Sequence, residues 1–273
     1  FYGFNTITQY EEKFSHWYNY ETGGHVTDSK GNRLLDFLID PSGIAVSNEY
    51  GWYGGSSMRY STIKPARTYN IFTVDYKDFV AVCNGGEYRS VGILHNDLDF
   101  AGITDIDPIG TMDQPFVGCF NGNGHVFRNL KISKEDVKGV GIFGCISAGA
   151  VIENLILDSS CSIVGNEYVG VIGAYNNGNY SVMGTKTATI LNIINRGSVE
   201  GKGEDSCTGG ILGSVRDAGS IPVSLTFSNC AFTGTLIGRQ ADGLVSGWIT
   251  GSTIVRFENC YTTGTFTNES YFQ

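Results

Sequence analysis

The amino-acid sequence predicts an all-β protein, a right-handed parallel β-solenoid (β-helix) in which stacked repeats each add one strand to the same sheets. Three observations predict this class: a short phrase ending in Asn that recurs along the chain, a glycine-flanked apolar phrase that alternates with it, and the composition. The 273 residues include 38 Gly but only 5 Pro, and only 16% are charged. Glycine without proline, among many Thr, Ser and Asn residues, favours turn-rich β structure over disorder.

The first repeated phrase is an apolar residue, one variable residue and then Asn. Its most similar copies are FSNCAFTG at 227–234 and FENCYTTG at 257–264. Uneven spacing around a fixed phrase predicts short strands joined by loops of variable length. We expect these Asn side chains to share one turn position and to form a hydrogen-bonded ladder between repeats about 4.8 Å apart. The predicted ladder residues are Asn129, Asn154, Asn192, Asn229 and Asn259.

The second phrase is a glycine-flanked apolar segment closed by a glycine-rich turn. Its copies are FVGCFNGNG (116–124), GVGIFGCISAG (139–149), YVGVIGAYNNG (168–178), CTGGILGSVRDAG (207–219) and DGLVSGWITGS (242–252). One such unit cannot bury its own apolar face, whereas stacked units can. The right-handed rule for parallel crossovers sets the expected hand of the solenoid.

Three segments follow from these patterns: an aromatic-rich N-terminal cap segment (1–72), the solenoid (73–268) and a C-terminal tail (269–273). The cap segment reads as a small α+β or loop-rich unit. It contains a predicted hairpin at 21–40, with SKGN at the turn, and a predicted short helix at 7–20. A second helix is predicted from Tyr76 to Cys83, stopped by glycine, where it would cover the open N-terminal end of the solenoid.

Charge and cysteine content bound the function. The net charge of −9 argues against nucleic acid and anionic membranes as partners. The sequence contains no stretch of 18 apolar residues, so we predict no membrane insertion. The chain begins at Phe1, which we interpret as a mature or trimmed form. Seven cysteines cannot form a closed disulfide set. Cys230 and Cys260 recur at one step of the repeat. As stacked neighbours they would lie within disulfide range by Cα distance, but parallel Cβ vectors suit a bridge poorly, so we interpret them as core-filling free thiols.

The order of motifs over residues 70–268 resembles the GLUG-motif repeat domains of bacteria. The resemblance rests on DYKDFVAVCNG (75–85), NDLDFAG (96–102), FVGCFNGNGHVFRNLKI (116–132) and the alternating phrases that follow. Such domains occur in large secreted or surface-anchored proteins, including adhesin-like proteins and the non-catalytic region of an IgA1-specific metallopeptidase family. The resemblance implies a β-helical stalk or binding module without catalysis. The His-Glu-x-x-His zinc signature of peptidases is absent from the sequence.

Four carboxylates cluster in NDLDFAGITDIDP: Asp97, Asp99, Asp105 and Asp107. Grouped aspartates hold calcium in some proteins and act as acid and base in β-helical enzymes that cleave acidic polysaccharides. Those enzymes also need a basic side chain for the sugar carboxylate, and the sequence places no basic pair next to these residues. We therefore favour turn chemistry, in which Asp accepts hydrogen bonds from backbone amides.

An aromatic group, Tyr50, Trp52 and Tyr53, is flanked by glycines in the cap segment. Aromatic faces with polar edges suit the stacking of a sugar ring, so these residues are candidates for carbohydrate contact. The alternative, which we favour, is packing of the cap segment against the solenoid.

These features predict a secreted or cell-surface structural or adhesive module of a bacterium, not an enzyme, with neither cofactor nor metal. A glycan or a host surface protein is the expected partner. One alternative is a carbohydrate-active β-helix enzyme, a polysaccharide lyase or glycoside hydrolase. Another is the subunit of an extracellular filament, in which residues 1–10 of one molecule cover the C-terminal coil of the next.

Overall fold

The computed structural model describes residues 67–176, 187–216, 224–243, 245–251 and 253–268, together with the backbone of short strands before residue 67. The chain divides into two compact units, Phe1–Ala66 and Arg67–Gln273. Most of the described secondary structure is strand, and the sheets of the second unit are parallel, so the predicted all-β class is confirmed. The predicted tail at 269–273 lies outside the described residues.

The described strands of the first unit pair in an antiparallel manner. The predicted hairpin is present, because Gly24–Thr27 pairs with Arg33–Leu35 on either side of SKGN. The predicted helix at 7–20 lies outside the described residues except at Tyr18–Asn19, which is a strand instead. The strands are Tyr18–Asn19, Gly24–Thr27 and Arg33–Leu35 in one sheet, Phe37–Ile39 with Ala45–Ser47, and Tyr50–Gly51 with Arg59–Tyr60.

The described residues of the second unit form four parallel sheets, here called sheets 1 to 4. Sheet 1 is the largest and comprises Thr68–Ile71, Val91–Leu94, Leu98–Asp99, Cys119–Asn121, Val126–Arg128, Val151–Leu157, Thr187–Asn195, Ser224–Ser228, Ala231–Phe232, Ile254–Glu258 and Tyr261–Thr262. Sheet 2 comprises Lys131–Lys134, Ser162–Gly165, Ser198–Gly201, Thr235–Gly238 and Thr265–Asn268. Sheet 3 comprises Gly139–Val140, Tyr168–Val169, Cys207–Gly209 and Ala241–Gly243; sheet 4 comprises Phe143–Ile146, Ile172–Asn176, Leu212–Arg216 and Ser246–Ile249.

Successive repeats pair strand on strand at equivalent positions. In sheet 1, Ile152 lies opposite Ile190, Ile190 opposite Phe227, and Phe227 opposite Phe257. The first three of these side chains are fully buried. Each repeat therefore supplies one apolar layer to a core that continues from repeat to repeat, which is how units too small to fold alone bury their apolar faces.

The glycine-flanked phrase is explained by close backbone approach where sheets 3 and 4 meet. A Cβ atom added to Gly173 would lie 2.4 Å from the backbone nitrogen of Val140 in the preceding repeat. One added to Gly141 would lie 2.2 Å from the carbonyl oxygen of Gly170 in the following repeat. No larger residue fits these positions without moving the backbone, so glycine recurs at both steps of the repeat.

Helix α1 (Tyr76–Asn84) forms where the sequence predicts it and follows a short 3₁₀ turn at Thr73–Asp75. It ends at Gly85, whose N–H bonds the carbonyl of Ala81. Tyr76 packs edge-to-face on Phe100 and Phe127, with ring centroids 5.2 and 5.5 Å apart. Sheet 1 already begins with Thr68–Ile71, ahead of the predicted domain start at residue 73, because this strand pairs with Val91–Leu94.

The last repeat leaves large apolar side chains exposed. Phe257 is 44% exposed, Tyr261 58% and Phe266 46%. Phe266 lies opposite the fully buried Leu236 of the preceding repeat. These side chains thus occupy inward positions of the repeat. They are exposed because their strands, Ile254–Glu258, Tyr261–Thr262 and Thr265–Asn268, are end strands of sheets 1 and 2 among the described residues.

Candidate functional site

The recurring Asn residues share a left-handed backbone conformation. The φ angle is 56° at Asn154, 55° at Asn192, 54° at Asn229 and 52° at Asn259. Asn adopts this region more readily than other residues with a side chain because its short polar group bonds locally. The turn therefore selects Asn for its backbone as well as for its side chain.

Three hydrogen bonds build a ladder that includes Asn154, Asn192 and Asn229, whereas Asn259 shares the turn conformation but takes part in none of these three bonds. The Asn192 Nδ2 donates to Asn154 Oδ1 at 2.8 Å, and Asn229 Nδ2 donates to Asn192 Oδ1 at 3.1 Å. At the other end, Asn154 Nδ2 donates to Asn121 Oδ1 at 3.2 Å. Asn121 was missed from the sequence because it stands before a glycine-rich turn and outside the apolar-x-Asn phrase; the run NGNG was the available signal.

Asn129 was wrongly placed in the ladder. The pairing of Val126 with Ile156 and Phe127 with Leu157 puts Asn129 after the second strand of its repeat, at the next turn. There its backbone N–H donates to Ser160 Oγ at 2.7 Å and its Nδ2 donates to Asp99 Oδ1 at 2.8 Å. The sequence around Asn129 matches the apolar-x-Asn phrase. However, residues 122–125 already form the ladder turn of this repeat, so Asn129 lies at the turn after it.

Asp97 accepts hydrogen bonds from three groups on the neighbouring repeat. The Val126 N–H donates at 3.0 Å, Arg128 Nη2 at 2.9 Å, and His125 Nδ1 lies 3.3 Å away. The Val126 amide, then Arg128 and His125, hold the pKa of the Asp97 carboxyl below its ordinary value. Arg128 also donates through Nη1 to Asp158 at 3.3 Å, so one guanidinium links two carboxylates.

Asp99 and Asp158 make turn contacts of the kind predicted. Asp99 accepts from Asn129 and from the Ala101 N–H at 2.9 Å, and these two bonds lower the pKa of its carboxyl. Asp158 accepts from the Ser160 N–H at 2.8 Å. Aspartates that accept bonds from backbone amides two residues later stabilise tight turns.

Asp105 and Asp107 both form ion pairs with Lys134. The Lys134 Nζ is 2.7 Å from Asp105 Oδ1 and 2.6 Å from Asp107 Oδ1. This ammonium lowers the pKa of Asp105, and the two carboxylates raise the pKa of Lys134. The arrangement is a charge-assisted fork that connects the loop between Leu98–Asp99 and Cys119–Asn121 to sheet 2.

The structure corrects the expectation that these aspartates lack basic partners. Arg128 and Lys134 are those partners, and they lie in Val126–Arg128 and Lys131–Lys134, about one repeat later in the sequence. The aspartates form two separate groups, one on Arg128 and one on Lys134. Within the described ranges, no group of three or more His, Cys, Asp or Glu side chains has the geometry of a metal site.

The aromatic candidates cannot be placed. Tyr50 begins the strand Tyr50–Gly51, but its side chain, Trp52 and Tyr53 lie outside the described residues. All seven cysteines are free thiols. Burial raises the pKa of the Cys230 thiol to about 12, in keeping with the core-filling interpretation of that residue.

Comparison with known proteins finds a similarity to a much longer protein. Over 143 residues, half of this chain, the sequence is 29% identical to halomucin of Haloquadratum walsbyi. The matched part spans about 1% of that much longer protein. No protein-family model matches the chain, and no solved structure matches it. Among the described residues, no helix has the length and hydrophobicity needed to span a bilayer.

Proposed function

We propose that this chain is a non-catalytic structural or adhesive module of a secreted or cell-surface protein, built as a right-handed parallel β-solenoid of the kind that GLUG-motif domains are expected to form. The observation that carries the proposal is the pairing of every repeat with the next at equivalent positions in parallel sheets. Extended stacks of this kind present long, regular faces suited to spacing or binding. The right hand follows from the general rule for parallel crossovers.

The proposed absence of catalysis is supported by the lowered pKa values of the aspartates. A glycoside hydrolase needs one carboxyl kept protonated, with a raised pKa, to act as general acid. Asp97, Asp99 and Asp105 instead have lowered pKa values, because basic groups, amides and backbone N–H groups bind their charged forms. Arg128 and Lys134 are engaged in ion pairs and serve the fold, which disfavours the alternative of a glycoside hydrolase that uses these aspartates.

The location outside the cell is supported by the similarity to halomucin. The name places that relative among mucins. The net charge of −9 is compatible with a solvated surface protein. The expected partner is a glycan or a host surface protein, with Tyr50, Trp52 and Tyr53 as candidate contacts.

The test of this proposal uses purified chain and a panel of neutral and acidic glycans, including polygalacturonate and alginate. We expect bound glycan to be recovered intact, with neither new reducing ends nor unsaturated products. Product release that disappears in an Asp97→Asn or Asp105→Asn variant would show that the chain is an enzyme. Replacing Trp52 by Ala, with Trp248→Ala as a matched control at the other end of the chain, tests the aromatic contact.

A second candidate, the filament subunit, is favoured by the exposed end repeat. Phe257, Tyr261 and Phe266 present apolar surface beside strand edges that lack a neighbour among the described residues. Exposed edges of this kind template strand addition. We propose residues 1–10 of a second molecule as the occupant; this segment lies outside the described residues. A heterologous contact of this type does not close and produces filaments.

Sedimentation velocity over a range of concentrations tests the second candidate. The full chain is expected to associate, whereas a chain lacking residues 1–10 and a Phe257→Ser variant remain monomeric. Val74→Ser is the control, because Val74 is 84% exposed near α1 and away from the end repeat. A full chain that stays monomeric, or a deletion that associates equally well, contradicts the filament hypothesis and leaves the adhesive module standing.

A further inference from the structure

Two thiols of successive repeats lie side by side at the end of sheet 1. Phe227 pairs with Phe257 and Ala231 pairs with Tyr261, so Cys230 and Cys260, between these pairs, are in register. Strands in a sheet are about 4.8 Å apart, which falls within the Cα separation that disulfides span. Among the other cysteines in described strands, Cys119 lies opposite Val91 and Val151, Cys145 opposite Ala174, and Cys207 opposite Tyr168 and Ala241, so none of the three has a cysteine in register.

Each sulfur atom lies near a carbonyl oxygen of its own repeat and one of the preceding repeat. Cys260 Sγ lies 3.6 Å from the Phe227 oxygen and 3.5 Å from the Glu258 oxygen, and Cys230 Sγ lies 3.7 Å from the Ile190 oxygen and 3.4 Å from the Ser228 oxygen. The two side chains are therefore parallel, and that of Cys260 leans back towards the repeat that holds Cys230. The Cys260 thiol is also among the causes that raise the pKa of Cys230, an effect that requires proximity.

Access differs between the two thiols in a way that sets an order of reaction. Cys230 is fully buried, whereas Cys260 is half-buried. Cys260 belongs to the last described repeat, which is packed on one side alone in sheet 1. Because Cys260 is the less buried of the two, its side chain is the one that can make the small rotation that brings two parallel Cβ vectors to disulfide geometry.

We propose that Cys230 and Cys260 form a redox site at which a small-molecule disulfide introduces a covalent link between the last two repeats. Cys260 attacks the small disulfide, forms a mixed disulfide and releases one small thiol. Cys230 then attacks the Cys260 sulfur, forms the Cys230–Cys260 bond and releases the second small thiol. The two protein sulfurs lose two electrons, and the two thiol protons leave on the two small thiols.

The pH dependence of linkage follows from burial. Thiol–disulfide exchange requires the thiolate, and burial raises the pKa of Cys230 to about 12. The second step is therefore slow at neutral pH and accelerates about tenfold for each pH unit, as the thiolate fraction rises below that pKa. This slow step leaves the mixed disulfide on Cys260 detectable as an intermediate.

The test is made on the folded full chain, incubated with oxidised glutathione at increasing pH, alkylated and digested with trypsin. Cleavage after Arg216, Arg239 and Arg256 puts Cys230 and Cys260 on separate peptides, each with one cysteine. We expect these two peptides to be joined, with a loss of two hydrogens that reduction reverses. The folded chain is also expected to melt at a higher temperature when oxidised than when reduced.

Two variants separate the outcomes. Cys260→Ser is expected to abolish both the linked peptides and the difference in melting temperature, whereas the Cys119→Ser control retains them, because Cys119 is half-buried but has no cysteine in register. Persistent glutathione on Cys260 with Cys230 still free at high pH overturns the proposal. Linked peptides that appear only after denaturation overturn it equally, since they would show that the fold does not bring the thiols together.

Discussion

At the residue scale, one amino acid meets two demands in each repeat. The turn of sheet 1 requires a left-handed backbone, and Asn154, Asn192 and Asn229 supply it at φ values of 54° to 56°. The same side chains then donate and accept along the ladder, so that polar groups half-covered by the next repeat are satisfied. Glycine would meet the first demand alone, and Ser or Thr the second alone.

Replacing Asn192 separates these two contributions. Asn192→Ala is expected to lower the free energy of unfolding by about 1–3 kcal/mol, because it breaks two ladder bonds and strains the backbone. Asn192→Gly keeps the left-handed turn and is expected to lose less. Chemical denaturation monitored by circular dichroism measures both. Equal stability of the wild-type chain and the Ala variant would argue against a ladder that contributes to folding.

Arg128 is expected to control the titration of Asp97. In an Arg128→Gln variant the pKa of Asp97, followed by NMR, rises towards its ordinary value but stays below it, because the Val126 N–H still donates. A carboxyl with a depressed pKa stabilises the fold above its unfolded value of about 4, and this contribution is lost as pH falls through the folded pKa. The variant should therefore lose less stability on acidification than the wild type. An unchanged pKa would mean that Arg128 does not reach Asp97 in solution.

At the element scale, the glycine-flanked phrase and the Asn phrase play different parts. The Asn phrase turns sheet 1, whereas the glycines let backbones of sheets 3 and 4 approach closely. Helix α1 ends the stack differently, by placing Tyr76 and Phe79 on the aromatic side chains of the first repeats. The Asn phrase and the glycine-flanked phrase can both be recognised from the sequence, because each depends on a residue type with a restricted structural role.

Gly173→Ala is expected to destabilise the fold by roughly 1–3 kcal/mol, because its Cβ meets backbone atoms that cannot move independently. Gly102→Asn is the control: a Cβ there meets nothing within 4 Å, and Asn tolerates the φ of 76°. Thermal melts of both variants decide the point. Similar losses in the two variants would show that close approach is not what selects glycine.

The sequence predicted what recurs and missed what depends on register. Asn154, Asn192 and Asn229 were predicted because one phrase repeats around them. Asn129 was misplaced because residues 122–125 form the ladder turn of its repeat, and the sequence pattern alone does not show this. Arg128 and Lys134 were not matched to their aspartates because each pair is about 30 residues apart and meets only once the repeats are stacked.

At the scale of the whole molecule, the fold continues in one direction while each part contacts only its neighbours. The core therefore does not close on itself, and the two ends of the second unit differ. Helix α1 packs against the first repeats, whereas the last described repeat exposes Phe257, Tyr261 and Phe266. That end is where both self-association and the Cys230–Cys260 link are proposed, so its chemistry governs how the module is extended or locked.

The measurement that tests the central claim most directly is a crystal structure of the full chain. The account predicts successive repeats stacked in parallel with a right-handed path, and Cα atoms of Asn154, Asn192 and Asn229 about 4.8 Å apart from one repeat to the next. Antiparallel pairing of these segments, a left-handed path, or Asn residues separated by more than about two strand spacings would contradict it.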